Sequence, residues 1–189
     1  MRVRSWSKLA FLEPRGFLIG LAQISEQIAA SDLPYSVASL RTNSLKRHRE
    51  ARQCALFCHG MSQLLGTEVR FAPAEESDVD FVAWFQKADA DHFVPVQVKE
   101  LVPERVRAIA SFQEELSKLS KYADSEDLCV VFHINRELRI QLEDLDLTAA
   151  KVGELWLVGS AAEDGKEWML CGDLLSGEAQ ELRFSYPEP

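Results

Sequence analysis

The chain has 189 residues, 47% of them apolar and 27% charged, and a formal net charge of −9. That is enough chain to bury one core, and the composition is that of an ordinary soluble domain, which excludes repeat, low-complexity and small disulfide-scaffold architectures. The acidity also argues against a uniformly basic nucleic-acid binder, but the charge is unevenly spread: residues 1–52 carry nine Lys or Arg against four Asp or Glu, a net of +5, and the remainder has a net of −14.

Cys54, Cys58, Cys129 and Cys171 are few and scattered, so reduced thiols in a cytoplasmic protein are expected. The basic start MRVRSWSKLAFL turns apolar but is broken at Glu13, Pro14 and Arg15, and the apolar run 16–22 is too short to cross a bilayer. Neither a signal peptide nor a membrane segment is expected.

Helical spacing predicts an N-terminal helix over 16–30, closed by Ser31-Asp32-Leu33-Pro34. Thr42, Asn43 and Ser44 offer N-caps for a second helix over 45–65. There Cys54, Phe57, Cys58, Met61, Leu64 and Leu65 form an apolar stripe, and Gly66 provides the stop. Glu50 lies on that stripe about one turn from the helix start, among Lys46, Arg47, Arg49 and Arg52. Strands are predicted over 67–74, 80–85 and 93–101, the last two joined by a polar hairpin connection at 87–91. Pro95 marks part of the third strand as an edge or bulge.

Pro103 suits a helix first turn, and Ile109, Phe112, Leu116, Leu119 and Ala123 predict a helix over 103–122 with one buried face. The continuous apolar run 127–135 predicts a buried strand, 143–152 a short helix, and 154–186 a β meander with turns at Asp164-Gly165 and Ser176-Gly177. The order is that of an α/β layer protein with a mixed sheet. Three parts are expected: an N-terminal helical extension (1–44), a core (45–135), and a C-terminal α/β extension (136–189) packed on the same domain.

Alternation in a strand puts Gln97 and Lys99 on one face of a Val-rich run. A lysine there needs a partner, and Asp80 at the head of the neighbouring strand is the obvious one. An acid on the first helix, an acid at the start of the second strand and a QxK triplet on the third resemble the PD-(D/E)xK, restriction-endonuclease-like superfamily in the D…QxK variant of Mrr-type nucleases. The resemblance covers about 45–135 and lacks the family's proline, since Val79 precedes Asp80. It implies an αβββαβ core with a central mixed sheet, here with an N-terminal helix and a C-terminal β meander added. It also implies hydrolysis of phosphodiester bonds, of DNA or alternatively RNA, with Mg²⁺ or Mn²⁺. Asp80 would be the central metal ligand, joined by the Gln97 amide oxygen, the Val98 carbonyl and Glu50; Lys99 would orient the attacking water. Lys46, Arg47, Arg49 and Arg52 would grip phosphates, and cutting both strands would need a homodimer or two binding events. Asp78 shares Asp80's face and is a spare ligand or a rival.

Two other readings fit the same residues. The neutral Gln97 suits a nuclease-like fold without catalysis, serving as a nucleic-acid-binding or protein-interaction module. The acidic C-terminal half suits an unrelated α/β interaction protein of the antitoxin or immunity kind. Cys54, Cys58 and His133 are expected to be buried core residues rather than metal ligands or a catalyst.

Overall fold

A computed structural model describes residues 5–38, 40–108, 111–122 and 125–189. Helix α1 (Pro14–Ala29) starts two residues before the predicted span because Glu13 caps it, its carboxylate accepting the Arg15 and Gly16 amides at 2.6 Å each, with Pro14 in the first turn. Helix α2 (Lys46–Leu65) ends at Gly66, whose φ of 65° is the left-handed conformation that glycine tolerates. Its start differs from expectation: Asn43–Leu45 form a 3₁₀ turn, and Leu45 stands at the cap position without a side-chain bond.

Among the described residues seven strands make one sheet in sequence order: β1 (Arg70–Glu76), β2 (Val79–Lys87), β3 (Ala90–Leu101), β4 (Ser125–Ile134), β5 (Val152–Ser160), β6 (Glu167–Gly172) and β7 (Gln180–Ser185). The β3/β4 and β4/β5 pairs are parallel and the other four antiparallel, so the sheet is mixed. The C-terminal meander extends this sheet. Helix α2 touches β1 and β7, its two edges, so the sheet curls around the helix. With α1 on another side, α2 is buried around its circumference from Gln53 through Cys58, not along one stripe only. Leu65, predicted on the stripe, is 37% exposed.

The opposite face of the sheet buries Val82, Leu101, Val130, Phe132 and Leu155 against Phe112, Leu116, Leu119 and Tyr122. The helix behind these contacts is shorter than the predicted 103–122: α3 spans Phe112–Ser117 and continues as a 3₁₀ turn, Lys118–Lys121. Ile109 and Ala123 lie outside the described residues. Residues 104–106 make only a turn, and Arg136 takes the Val102 and Arg107 carbonyls at 2.7 and 2.6 Å, fixing this stretch from another element. Residues 143–152 likewise form no α-helix, only a 3₁₀ turn at Leu142–Asp144. Gln113 pairs with the backbone of Asp146 through both amide atoms, at 2.9 and 3.0 Å, holding the chain extended before β5.

The first strand begins at Arg70, not 67, because the Val69 amide is already bonded to Ser62 Oγ at 2.9 Å. The β2–β3 connection is tighter than predicted, with Ala88 and Asp89 at φ 50° and 60° between paired Lys87 and Ala90. Pro95 pairs with Val82 on one side, and pairing with β4 starts only at Val96, so the proline sits on a locally open edge. Among the described residues no helix is long and apolar enough to cross a membrane.

Candidate functional site

The site lies where β2 and β3 part. Their ladder runs from Lys87↔Ala90 to Phe81↔Val96 and stops, while β3 continues beside β4 as far as Leu101↔Ile134. One residue beyond the last pair, Asp80 fills the fork with its side chain: Oδ2 accepts the Val98 amide at 2.9 Å and also Gln97 Nε2. A carboxylate thus satisfies a buried backbone N–H that would otherwise need a strand partner. Asp78 does not share this position. It stands exposed at φ 66° in the turn before β2, so Asp80 is the carboxylate built into the sheet.

Lys99 follows two residues after Gln97. Its Nζ lies 5.3 Å from the centre of the Tyr122 ring, and the Lys121 ammonium stands 4.7 Å from the same ring. The Tyr122 hydroxyl is buried without a hydrogen-bond partner among the described residues. Burial, and then the charges of Asp78 and Asp80, push it well above the usual phenol range. Nothing in the sequence signalled Tyr122 beyond its place after Leu119.

Glu50 approaches from the first turns of α2, with Lys46 Nζ 3.3 Å from its Oε1. Glu50 and Asp80 line one cleft of about 580 Å³, together with Lys46 and Arg47. Gln97 bonds Asp80 from β3 and the Lys99 charge acts on it, so Asp80 links the cleft to β3. Burial raises the Asp80 carboxyl; the Val98 hydrogen bond opposes this, and the Glu50 charge adds to the rise. Burial and the Lys121 charge hold the Lys99 ammonium below the usual lysine range, against the pull of Asp80. Each group is therefore easier to neutralise than it would be in water.

Among the described residues no three His, Cys, Asp or Glu converge as a metal-binding group. Magnesium sites commonly use one or two carboxylates with water and substrate phosphate completing the shell, and Asp80 and Glu50 are two carboxylates that line the same cleft. Gln97 turns its amide nitrogen, not the oxygen expected as a ligand, toward Asp80, and that nitrogen also lies 3.4 Å from the Val98 carbonyl. In this arrangement Gln97 holds Asp80 as a donor, and ligation through its oxygen would require the amide to turn over.

Arg49 and Arg52 are not in the cleft with Lys46 and Arg47. The 100° step of a helix carries them to another side. Arg49 bonds the Leu40 carbonyl at 3.2 Å and stands 3.4 Å from Glu100, while Arg52 lies 5.5 Å over the Trp168 ring and bonds Tyr186. Glu100, opposite in facing to Lys99, is also held by Arg41 at 2.6 Å and Asn135 at 2.9 Å. Burial would raise its carboxyl, but the bonds from Asn135 and Arg41 and the arginine charges keep it below the usual range. Sequence reasoning missed this network, because Arg41 is 59 positions from Glu100. His133 lies beside it, 3% exposed and packed on Trp168, as expected of a core histidine. The four cysteines are free, and Cys54, Cys58 and Cys129 are buried. No protein-family model, curated protein or solved structure matches the chain.

Proposed function

We propose that the protein is a divalent-metal-dependent nuclease of the PD-(D/E)xK type with a restriction-endonuclease-like core. The observation that carries the reading is Asp80 seated in the fork of β2 and β3, sharing one cleft with Glu50 and feeling the charge of Lys99. The order α2, β1, β2, β3, α3, β4 supports it.

Asp80 and Glu50 would hold Mg²⁺ or Mn²⁺ through oxygen. The bound ion supplies Lewis-acid charge and a lowered water pKa. Gln97 and the Val98 amide fix the Asp80 carboxylate so that it need not reorganise during reaction. Lys99, half-buried and easier to deprotonate than a surface lysine, orients the attacking water and receives or returns its proton. Lys46 and Arg47 hold the phosphate at the cleft. The test is plasmid cleavage with and without Mn²⁺, with Asp80→Ala and Lys99→Ala as controls. Metal-dependent cleavage lost in both variants supports the assignment; cleavage surviving both rules it out.

The Gln97 bond favours one second reading, a nuclease-like fold that binds without cutting, because two N–H donors already occupy Asp80 Oδ2. Calorimetric titration with Mn²⁺ separates the two. Binding that disappears in Asp80→Ala supports the enzyme, and no binding by the native chain supports the inactive fold.

A further inference from the structure

We propose that a second cavity, at the far end of α2 from Glu50, binds a small primary amine with an aromatic body, as its ammonium ion. Glu50 lines the Asp80 cleft and Leu64 lines this cavity, and the two stand about 21 Å apart along the helix axis. The cavity encloses about 260 Å³ and shares no lining residue with that cleft. It exists because the sheet is incomplete at this end. Strand β3 pairs with β2 from Ala90 onward but with β4 only from Val96, so Val94, on the same face as Val96, has no β4 partner beside it. Phe57 and Met61 from α2, Phe85 from β2 and Trp156 from β5 wall the space with Val94. Leu65, 37% exposed, lies on its open side. An apolar cavity of about 150 Å³ is enough to hold benzene. The volume here takes a ring and a short aminoalkyl arm, and three of its walls are aromatic side chains on which a ring packs.

The charge of the lining has one sign. Among the described residues Glu154, Asp173, Ser176 and Gln180 are the polar side chains of the cavity besides the Cys129 thiol, and no Lys, Arg or His lines it. Both carboxylates are half-buried and held by one oxygen. Glu154 Oε2 accepts the Trp156 indole N–H at 2.7 Å, and Asp173 Oδ1 accepts the Leu155 and Leu175 amides at 2.9 and 3.0 Å. Among the described residues the second oxygen of each makes no hydrogen bond or ion pair. The two charges act on one place. Cys129 lies opposite Glu154 in the β4/β5 ladder; burial pushes its thiol up, and the charges of Glu154, Cys58 and Asp173 add to the rise. Trp156 is fixed in the wall from behind, since a Cβ at Gly172 would stand only 2.6 Å from its ring. A fatty or aryl carboxylate would meet two like charges here, and a bare metal ion would leave the apolar walls unused. An ammonium on an apolar body matches both parts of the lining.

The test is calorimetric titration of the full chain at pH 7 with three probes of one shape: 2-phenylethylamine, 2-phenylethanol and 3-phenylpropanoate. The amine is expected to bind at least about tenfold tighter than the alcohol, the margin that a hydrogen bond to a charged group supplies. The propanoate is expected to bind more weakly than the alcohol. Glu154→Gln combined with Asp173→Asn keeps the oxygens that hold Trp156, Leu155 and Leu175, and is expected to bring the amine down to the affinity of the alcohol. Ala83→Leu puts a larger side chain into the wall and is expected to abolish binding of amine and alcohol alike. Leu65→Trp, at the exposed side, serves as a second blocking variant should Ala83→Leu lower the melting temperature. No binding of the amine by the native chain, an amine that binds no tighter than the alcohol, or a propanoate that binds best would each overturn the inference. So would amine binding unchanged by the double carboxylate variant or by both blocking variants. Mn²⁺-dependent cleavage, whether found or not, leaves this result standing, because the cavity is built from other residues.

Discussion

Replacing His133 with leucine is expected to remove a large part of the protein's acid sensitivity. The imidazole sits on β4, 3% exposed, with neither ring nitrogen hydrogen-bonded among the described residues. Burial and the charge of Arg52, with Arg41 and Arg49 adding and Glu100 opposing, push its pKa down to about 3. In the unfolded chain an ordinary histidine titrates at about 6.5. Between these values the unfolded state binds a proton that the native state refuses. The associated stability is therefore complete above about pH 6.5 and is lost as pH falls toward the folded value. At 1.36 kcal/mol per unit, going from pH 8 to pH 5 costs about 2 kcal/mol. Leucine has a similar volume and no proton to bind, so His133→Leu loses this slope. At pH 8 it is expected to be at least as stable as the native chain, since unsatisfied buried polar groups cost about 1–3 kcal/mol. Urea unfolding followed by tryptophan fluorescence at pH 8, 6.5 and 5 measures both effects. Parallel loss in the two proteins, or an NMR titration of His133 near pH 6.5, would refute the reasoning.

The remaining predictions concern the site and the pairings that position it. Glu50→Gln is expected to lower the Asp80 carboxyl pKa, which is raised first by burial and further by the Glu50 charge; the carboxyl ¹³C shift against pH reports it, and an unmoved value would separate the two residues. Arg41→Met leaves Glu100, only 8% exposed at its side chain, with Arg49 and Asn135, and is expected to cost about 2–3 kcal/mol at pH 7. Because the folded Glu100 carboxyl is held below its ordinary value, that cost should shrink as pH falls through the carboxylate range, which urea midpoints at pH 7 and 3 would show. Gly153→Ala would drive a Cβ into the Glu126 backbone carbonyl, where β4 and β5 already slip register. A loss of about 2 kcal/mol or more is expected, with faster amide exchange along that pair.

Local periodicity is written in the chain, and what depends on it was legible. The α2 stripe through Cys54, Phe57 and Cys58, the stop at Gly66, and the shared face of Gln97 and Lys99 follow from repeats of 3.6 and 2.0 residues. The same periodicity overextended the helix before β4. Phe112, Leu116 and Leu119 keep helical spacing, but Arg136 claims carbonyls at Val102 and Arg107, and no local window contains that competitor. Residue types and their order along the chain thus placed Asp80, Glu50 and Lys99 on the right elements. Only the tertiary structure decided how those elements meet: the curl of the sheet that buries α2 all round, the turn of Arg49 and Arg52 away from the cleft, and the fork where β3 leaves β2 for β4. The physical reason is range. Side-chain direction is set within a few residues, whereas the Asp80 bonds to Gln97 and Val98 join positions 17 and 18 apart and form only once the strands are packed.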